Sequence, residues 1–393
     1  MGMAVQQHQC YGGGASCGDE DIDLRTIVPV FYNLSSFGPP NKLSKKYGSV
    51  YSLEIGMQKL VVLCGYDTVR EALVNHGEEF AGRPHLPILT DLNKEHGIVF
   101  TNGNNWKVMR RFTLSTLRDF GMGKRTIEDK VIEECKSLVQ VFSDYKALFC
   151  PWKVLLAQWH TFKKTILLGH WMSTDDGTEK PNPELYFIDE NLTFLVMDLF
   201  AAGMETTSTT LRWGLLLMMK YPEIQKNVQD EIDKVIGSGE PHLTHRKQMP
   251  YTDAVIHEIQ RFANIEPTNV PHATTQDTTF KGFFIPKGTQ VIPLLFSVLR
   301  DKDYFEKPEE FYPEHFLGSE GNFTKNEAFI PFSAGKRSCA GEKLAKMELF
   351  LFFTTLLQNF SFQAPPGAKL ELTGAVGFTT PPMKHEICAI PRN

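Results

Sequence analysis

The segment Phe332-Ser333-Ala334-Gly335-Lys336-Arg337-Ser338-Cys339-Ala340-Gly341 gathers an aromatic ring, glycines, a guanidinium and a thiol in one short stretch. An apolar run, Gly341 to Phe360, follows and predicts a buried helix. That puts Cys339 just before a helix N-terminus, where the dipole and free N–H groups favour a thiolate, the form that ligates iron. Gly335 and Gly341 lack a Cβ and would let a flat macrocycle lie against the backbone. Arg337 offers a cation to an acidic edge group. A second group, Ala202-Gly203-Met204-Glu205-Thr206-Thr207, sets an acid and an alcohol in mid-helix. Thr206 can bond a carbonyl one turn back or release it, opening the helix locally to oxygen and water. A third group is Glu258 and Arg261, three apart on a helix, followed by Phe311-Tyr312-Pro313-Glu314-His315-Phe316. Spacing alone makes that pair a solvated surface ion pair.

Taken in this order, the motifs resemble those of the cytochromes P450, the haem-thiolate monooxygenases, and most of all the family-2 animal microsomal enzymes. Supporting stretches run from Leu43 to Val74, Gly97 to Lys124, and Asn191 to Arg392. The resemblance implies haem b as cofactor, with Cys339 as the axial iron ligand and Phe332 and Gly341 in the same loop. By position, Trp106, Arg110, His272 and Arg337 would hold the haem propionates; from packing alone Trp106 is a core residue. Glu205 and Thr206 would relay protons during activation of O2. Glu258, Arg261 and His315 would form a buried network, with imidazole where many relatives carry Arg. Val99, Phe100, Ala202, Thr206, Ile265, Val270 and Phe378 would face the substrate. Most are apolar, which points to an apolar organic substrate of xenobiotic, fatty acid or steroid type. Glu266 departs from that pattern.

No flavin or nicotinamide fingerprint is present, so the electrons come from outside. The resemblance implies NADPH-cytochrome P450 reductase as donor and cytochrome b5 as accessory. Lys107, Arg111, Lys336, Lys343 and Lys346 would form the basic docking face, although solvated lysines on helices are the ordinary explanation. The family's place is the endoplasmic reticulum membrane, facing the cytosol.

Composition narrows the alternatives. The chain has 393 residues, 41 Lys+Arg against 46 Asp+Glu, a formal charge of −5, and 42% hydrophobic residues. Those values exclude intrinsic disorder and argue against nucleic-acid binding, which needs a basic face. The 29 Phe residues suit a large apolar interior or ligand pocket. Seven scattered Cys with no Cys-x-x-Cys argue against structural zinc or a disulfide framework, and for a reducing compartment. No signal peptide or membrane span is visible.

The elements predicted to position these groups make a mainly α fold with small β-sheets. A helix ends at Gly48, and Tyr51–Ile55 and Lys59–Leu63 form a hairpin about Gly56. Asp67 is a candidate N-cap for a helix to Val74. Trp106 and Arg110 share one face of a helix over Asn105–Phe120. A cleft-lining helix covers Leu192–Met219, Pro222 opens an amphipathic helix with Ile224, Val228, Ile232 and Val235 on its stripe, and Tyr251–Phe262 forms another.

Two departures from the family stand out. Residues 1–28 match nothing in it and are expected to be disordered; no anchor or basic-proline hinge is found, and the family domain spans residues 29–393. Only residues 147–191 lie where relatives carry several helices that roof the substrate pocket. The remaining pieces are an amphipathic stretch to Leu168 and a polar linker from Ser173 to Glu190. Each apolar residue uncovered there costs about 1.5–3 kcal/mol of burial. Three readings stay open: an active monooxygenase with a shortened distal side, a truncated splice or gene-model product without activity, and a haem-thiolate isomerase acting on peroxides. A non-enzymatic interaction module is the alternative from another class.

Overall fold

In the computed structural model the described residues are 5–6, 41–55, 58–86, 93–119, 125–144 and 186–392. The expected start near Pro29, the turn at Gly56, the stretch to Leu168 and most of the polar linker lie outside them.

Helix α1 (Asn41–Tyr47) ends at Gly48, whose φ of 87° and N–H to Ser44 O (2.8 Å) close it. Strand β1 (Val5–Gln6) pairs antiparallel with β2 (Val50–Ile55), and β2 with β3 (Gln58–Leu63). The next helix, α2 (Tyr66–Arg70), runs into a π-turn, Glu71–Asn75. Asp67 is not its N-cap: Gly65 holds that position, and Asp67 instead accepts the Tyr304 hydroxyl at 2.9 Å. The cap sits two residues earlier than the side-chain pattern suggests because Gly65, at φ 79°, makes the turn.

Beyond α3 (Gly103–Asp119) and α4 (Arg125–Asp144) comes the longest helix, α5 (Asp189–Lys220). Asp189 and Glu190 in its first turn interact favourably with the positive end of the helix dipole, and α5 begins before Leu192, within the expected polar linker. Its end is set by Pro222, which opens α6 (Pro222–Val235) and leaves Tyr221 non-helical. Ile224, Val228 and Ile232 of α6 are buried. Helix α7 (Pro250–Ala263) closes on Asn264 in the left-handed region. Strands β4 (His272–Ala273), β5 (Thr278–Phe280), β6 (Phe283–Ile285) and β7 (Gln290–Pro293) precede the short α8 (Leu295–Leu299). Strand β7 joins the first sheet parallel to β3 and antiparallel to β4, which sets His272 at the sheet edge.

The last helix, α9 (Glu342–Asn359), is buried on nearly every face and packs against α4, α5, α6 and α7. Gly214 of α5 lets it approach: a Cβ there would meet Ile259 Cδ1 at 3.3 Å and Phe353 Cε2 at 3.4 Å. The chain ends in a two-stranded sheet of β8 (Phe360–Gln363) and β9 (Cys388–Pro391). Among the described residues no helix is long and apolar enough to cross a membrane.

Candidate active site around Cys339

Helix α9 starts immediately after Gly341, so the preceding loop delivers Cys339 to its N-terminal end. The loop is closed by Cys339 N–H to Phe332 O (3.0 Å) and Ser338 N–H to Gly335 O (3.2 Å). Ser333 holds φ 61°, and its hydroxyl accepts Asn269 Nδ2–H at 2.8 Å, tying the loop to the turn before β4. Gly335 is demanded by protein packing rather than by a macrocycle: at φ +72° its Cβ would stand 1.8 Å from Leu73 O. Gly341 is under no such constraint, since its Cβ would lie 3.9 Å from the Cys339 Sγ.

Cys339 is accessible yet ringed by protein atoms, the situation of a side chain on the floor of an open recess. Burial pushes its thiol up, and Glu342 adds to this. The N–H groups of Gly341 and Glu342 and the Arg110 charge pull the other way. The helix terminus does favour the thiolate, as its sequence position implies, but desolvation outweighs it until a metal is bound.

The recess is strongly cationic. Arg337 donates to Ala81 O (2.8 Å) and Thr101 O (2.6 Å) and lies 3.8 Å from the Trp106 ring centroid. Arg110, one turn from Trp106 on α3, donates to Ser338 O at 2.6 Å. A third guanidinium, Arg83, had no signal beyond a Gly-Arg-Pro loop. It donates to Val99 O, Val270 O and Pro271 O at 3.0, 2.9 and 2.9 Å. Among the described residues none of the three forms an ion pair with an acid. Burial first, and then their mutual repulsion, pushes Arg83 down to about 9 and Arg337 to about 8. Arginine keeps its proton, so these shifts register how strongly the recess favours an anion. His272 donates Nδ1–H to Phe80 O at 2.7 Å; burial, Arg83 and Arg337 hold it well below its ordinary value, hence neutral. Among the described residues, three buried nitrogens there, Trp106 Nε1, His272 Nε2 and Arg337 Nη1, lack a protein partner. A dianionic edge such as that of haem would supply acceptors for the Trp106 and Arg337 N–H groups, while His272 Nε2, an acceptor in the neutral ring, would pair with it only through a proton held between them; the cations and N–H donors fit the group.

Above this floor the segments carrying the expected substrate residues are tied together. Arg83 bridges the Val99 and Val270 carbonyls. On α5, Asp198 accepts the N–H groups of Ile98 (2.7 Å) and Val99 (3.0 Å), which docks the loop bearing Val99 and Phe100 onto the helix bearing Ala202. Gly97 permits this: its Cβ would be 2.4 Å from Asp198 Oδ2. Ile265 O accepts Thr380 N–H at 2.9 Å, linking it to the loop of Phe378, whose ring is 57% exposed. Glu205 and Thr206 are adjacent but not bonded to each other. Thr206 donates to Ala202 O (2.7 Å) in an unbroken helix, while Glu205 accepts from Thr379 (2.8 Å).

The Glu258–Arg261 pair is buried, with both side chains 0% exposed, and not solvated as its spacing alone implies. Arg261 donates twice to the carboxylate, at 2.7 Å each, and to Leu299 O, Pro308 O and Glu310 O. His315 Nε2 accepts Lys307 N–H at 3.1 Å, so Nδ1 carries the proton and donates to Glu258 at 3.2 Å. A guanidinium in that place would have no lone pair for Lys307.

Comparison with known proteins identifies the family. The profile of the family described as Cytochrome P450 matches residues 26–147 and 161–389. Cytochrome P450 2K1 of Oncorhynchus mykiss is 43% identical over 436 aligned positions, covering 89% of this chain and 86% of that protein. Cytochrome P450 2C4 of Oryctolagus cuniculus is 43% identical over 431 positions, covering 89% and 88%. Cytochrome P450 2K6 of Danio rerio is 42% identical over 437, covering 90% and 86%. A mainly α fold, a cysteine loop at the head of its central helix and this degree of identity lead to one conclusion: the chain belongs to the cytochrome P450 family, on its family-2 side, and is an oxidoreductase of the monooxygenase type.

Proposed function

We propose that the chain binds haem b through Cys339 and inserts one oxygen atom from O2 into an apolar organic substrate, with electrons drawn from NADPH through a reductase. The observation carrying this reading is the convergence of three unpaired buried nitrogens and three acid-free arginines beside the Cys339 loop. A thiolate-ligated haem supplies the activation of dioxygen. Arg110 and Arg337, with Arg83 behind them, neutralise the propionate edge, and Trp106 and His272 help to hold and orient it. Phe332 and Gly341 frame the sulfur. Val99, Phe100, Ala202, Ile265, Val270 and Phe378 hold the substrate by shape. Thr206 Oγ1 and the Glu205 carboxyl are the groups that hold and pass protons, once each leaves its present partner.

The electron donor on this reading is NADPH-cytochrome P450 reductase, with cytochrome b5 as accessory, on the cytosolic face of the endoplasmic reticulum membrane. Among the described residues Lys107, Arg111 and Lys343 have no ion-pair partner, whereas Lys336 and Lys346 are paired with Glu78 and Glu342. One observation favours a second reading, a shortened product without activity. The family profile is interrupted at residues 148–160, and the 436 positions aligned with Cytochrome P450 2K1 take in only 89% of a 393-residue chain, so the alignment carries long gaps on this chain's side. The decisive experiment reconstitutes the haem-loaded chain with reductase and NADPH over a panel of apolar substrates. Hydroxylated product that disappears in Cys339→Ser supports monooxygenation. A folded, haem-bound chain that yields none supports the second reading.

A further inference from the structure

Thr379 was not among the residues expected to serve the site, yet it makes the shortest hydrogen bond to Glu205. The carboxyl Oε1 accepts Thr379 Oγ1–H at 2.8 Å and lies 3.4 Å from Thr209 Oγ1; the two hydroxyls are 3.2 Å apart. Thr209 and Thr379 are almost completely buried. The acid is thus turned along α5 toward residue 209, while Thr206 spends its proton on Ala202 O.

The backbone presenting Thr379 is itself fixed. Residues 373–383 fold back on themselves through Ala375 N–H to Pro381 O (2.7 Å) and Met383 N–H to Thr373 O (3.1 Å). Two glycines make that fold possible. A Cβ on Gly374 would be 2.3 Å from Thr380 Cγ2, and one on Gly377 would be 2.8 Å from Thr379 O. Thr380 anchors the base twice, accepting Trp213 Nε1–H from α5 at 2.8 Å and donating to Ile265 O at 2.9 Å. The Thr379 hydroxyl is therefore held in place by a rigid base, while Phe378 beside it reaches out toward solvent.

We propose that Thr379 is a positioning residue for Glu205: the C-terminal loop holds the carboxyl away from Thr206, and so governs when this acid is available to transfer a proton. The inference rests on the monooxygenase reading above for its consequence, though not for the contact itself. A loop whose exposed tip lies among the substrate-facing segments can thereby couple ligand occupancy to the state of the acid.

The test uses the full chain and the variants Thr379→Val, Thr379→Ser and Glu205→Ala. The first readout is amide hydrogen exchange over residues 373–383. Loss of one buried hydrogen bond should speed it about three- to tenfold in Thr379→Val and in Glu205→Ala, with Thr379→Ser like the parent. Unchanged exchange in Glu205→Ala overturns the proposal even if Thr379→Val fails to fold. The second readout is product formed per NADPH consumed. It should fall severalfold in Thr379→Val, recover in Thr379→Ser, and show no further loss when Thr379→Val is added to Glu205→Ala. A ratio in Thr379→Val equal to the parent's overturns it. If the parent makes no product, the monooxygenase reading fails, and the exchange result alone decides for or against the clamp.

Discussion

Arg337 lies with its guanidinium 3.8 Å from the Trp106 ring centroid, and each of these two side chains ends in a buried nitrogen without a protein partner. The stacking fixes the guanidinium plane while leaving Nη1 to donate, as a site prepared for an anion requires. Trp106→Phe keeps an aromatic ring beside the guanidinium but removes the N–H together with the pyrrole half of the indole. A charge-assisted hydrogen bond is worth about 1.5–3 kcal/mol, so Trp106→Phe should loosen haem retention by roughly ten- to a hundredfold. Arg337→Met should loosen it more. Haem-to-protein ratios after gel filtration measure both, and equal ratios for all three proteins would contradict a role at the propionates.

The Glu258–Arg261–His315 network should behave as a buried unit. Arg261→Met strands the Glu258 carboxylate and should destabilise by about 3–5 kcal/mol. His315→Phe leaves Lys307 N–H and one carboxylate oxygen short of a partner, costing about 1–3 kcal/mol. His315→Arg should not restore the parent, because it cannot accept from Lys307. Urea unfolding of the three variants checks the order.

Gly335 and Gly341 separate two reasons for a glycine in the same loop. Gly335→Ala places a methyl on Leu73 O at a positive φ and should cost more than about 3 kcal/mol, enough to empty the soluble fraction. Gly341→Ala meets only ordinary contact and should fold with a melting temperature near the parent's. Equal effects of the two would refute the assignment.

Much of this architecture is legible in the sequence because its chemistry sits in local motifs. The Cys339 loop, the acid and alcohol on α5, and the proline opening α6 each carry their signal within a few residues. What escaped is non-local. Arg83 binds carbonyls of Val99, Val270 and Pro271, and a carbonyl is the same in every residue type. Thr379 meets Glu205 only through a folded-back loop 174 positions away. The burial of Glu258 and Arg261 also depends on a distant segment, residues 299–315, closing over them. Where burial competes with a local cue, as at Cys339, burial wins.

Glu266 gives a pH signature. Burial, and then the nearby Glu205 charge, pushes its carboxyl up from 4.5 to about 8. Between those values the folded chain holds a proton that the unfolded chain has released, so stability falls as pH rises through that window and levels off above it. Glu266→Gln removes the slope. It should match the parent near pH 4 and exceed it near pH 9 in thermal unfolding; a parallel pair of pH curves would show that Glu266 titrates normally.

The most direct test of the site is the carbon monoxide difference spectrum of the haem-supplemented, dithionite-reduced protein. If Cys339 ligates iron within this fold, the band stands at the red-shifted position of a thiolate ligand and is lost in Cys339→Ser. A band at the unshifted position, or none, would mean that the cysteine loop and its cationic recess do not hold haem through sulfur.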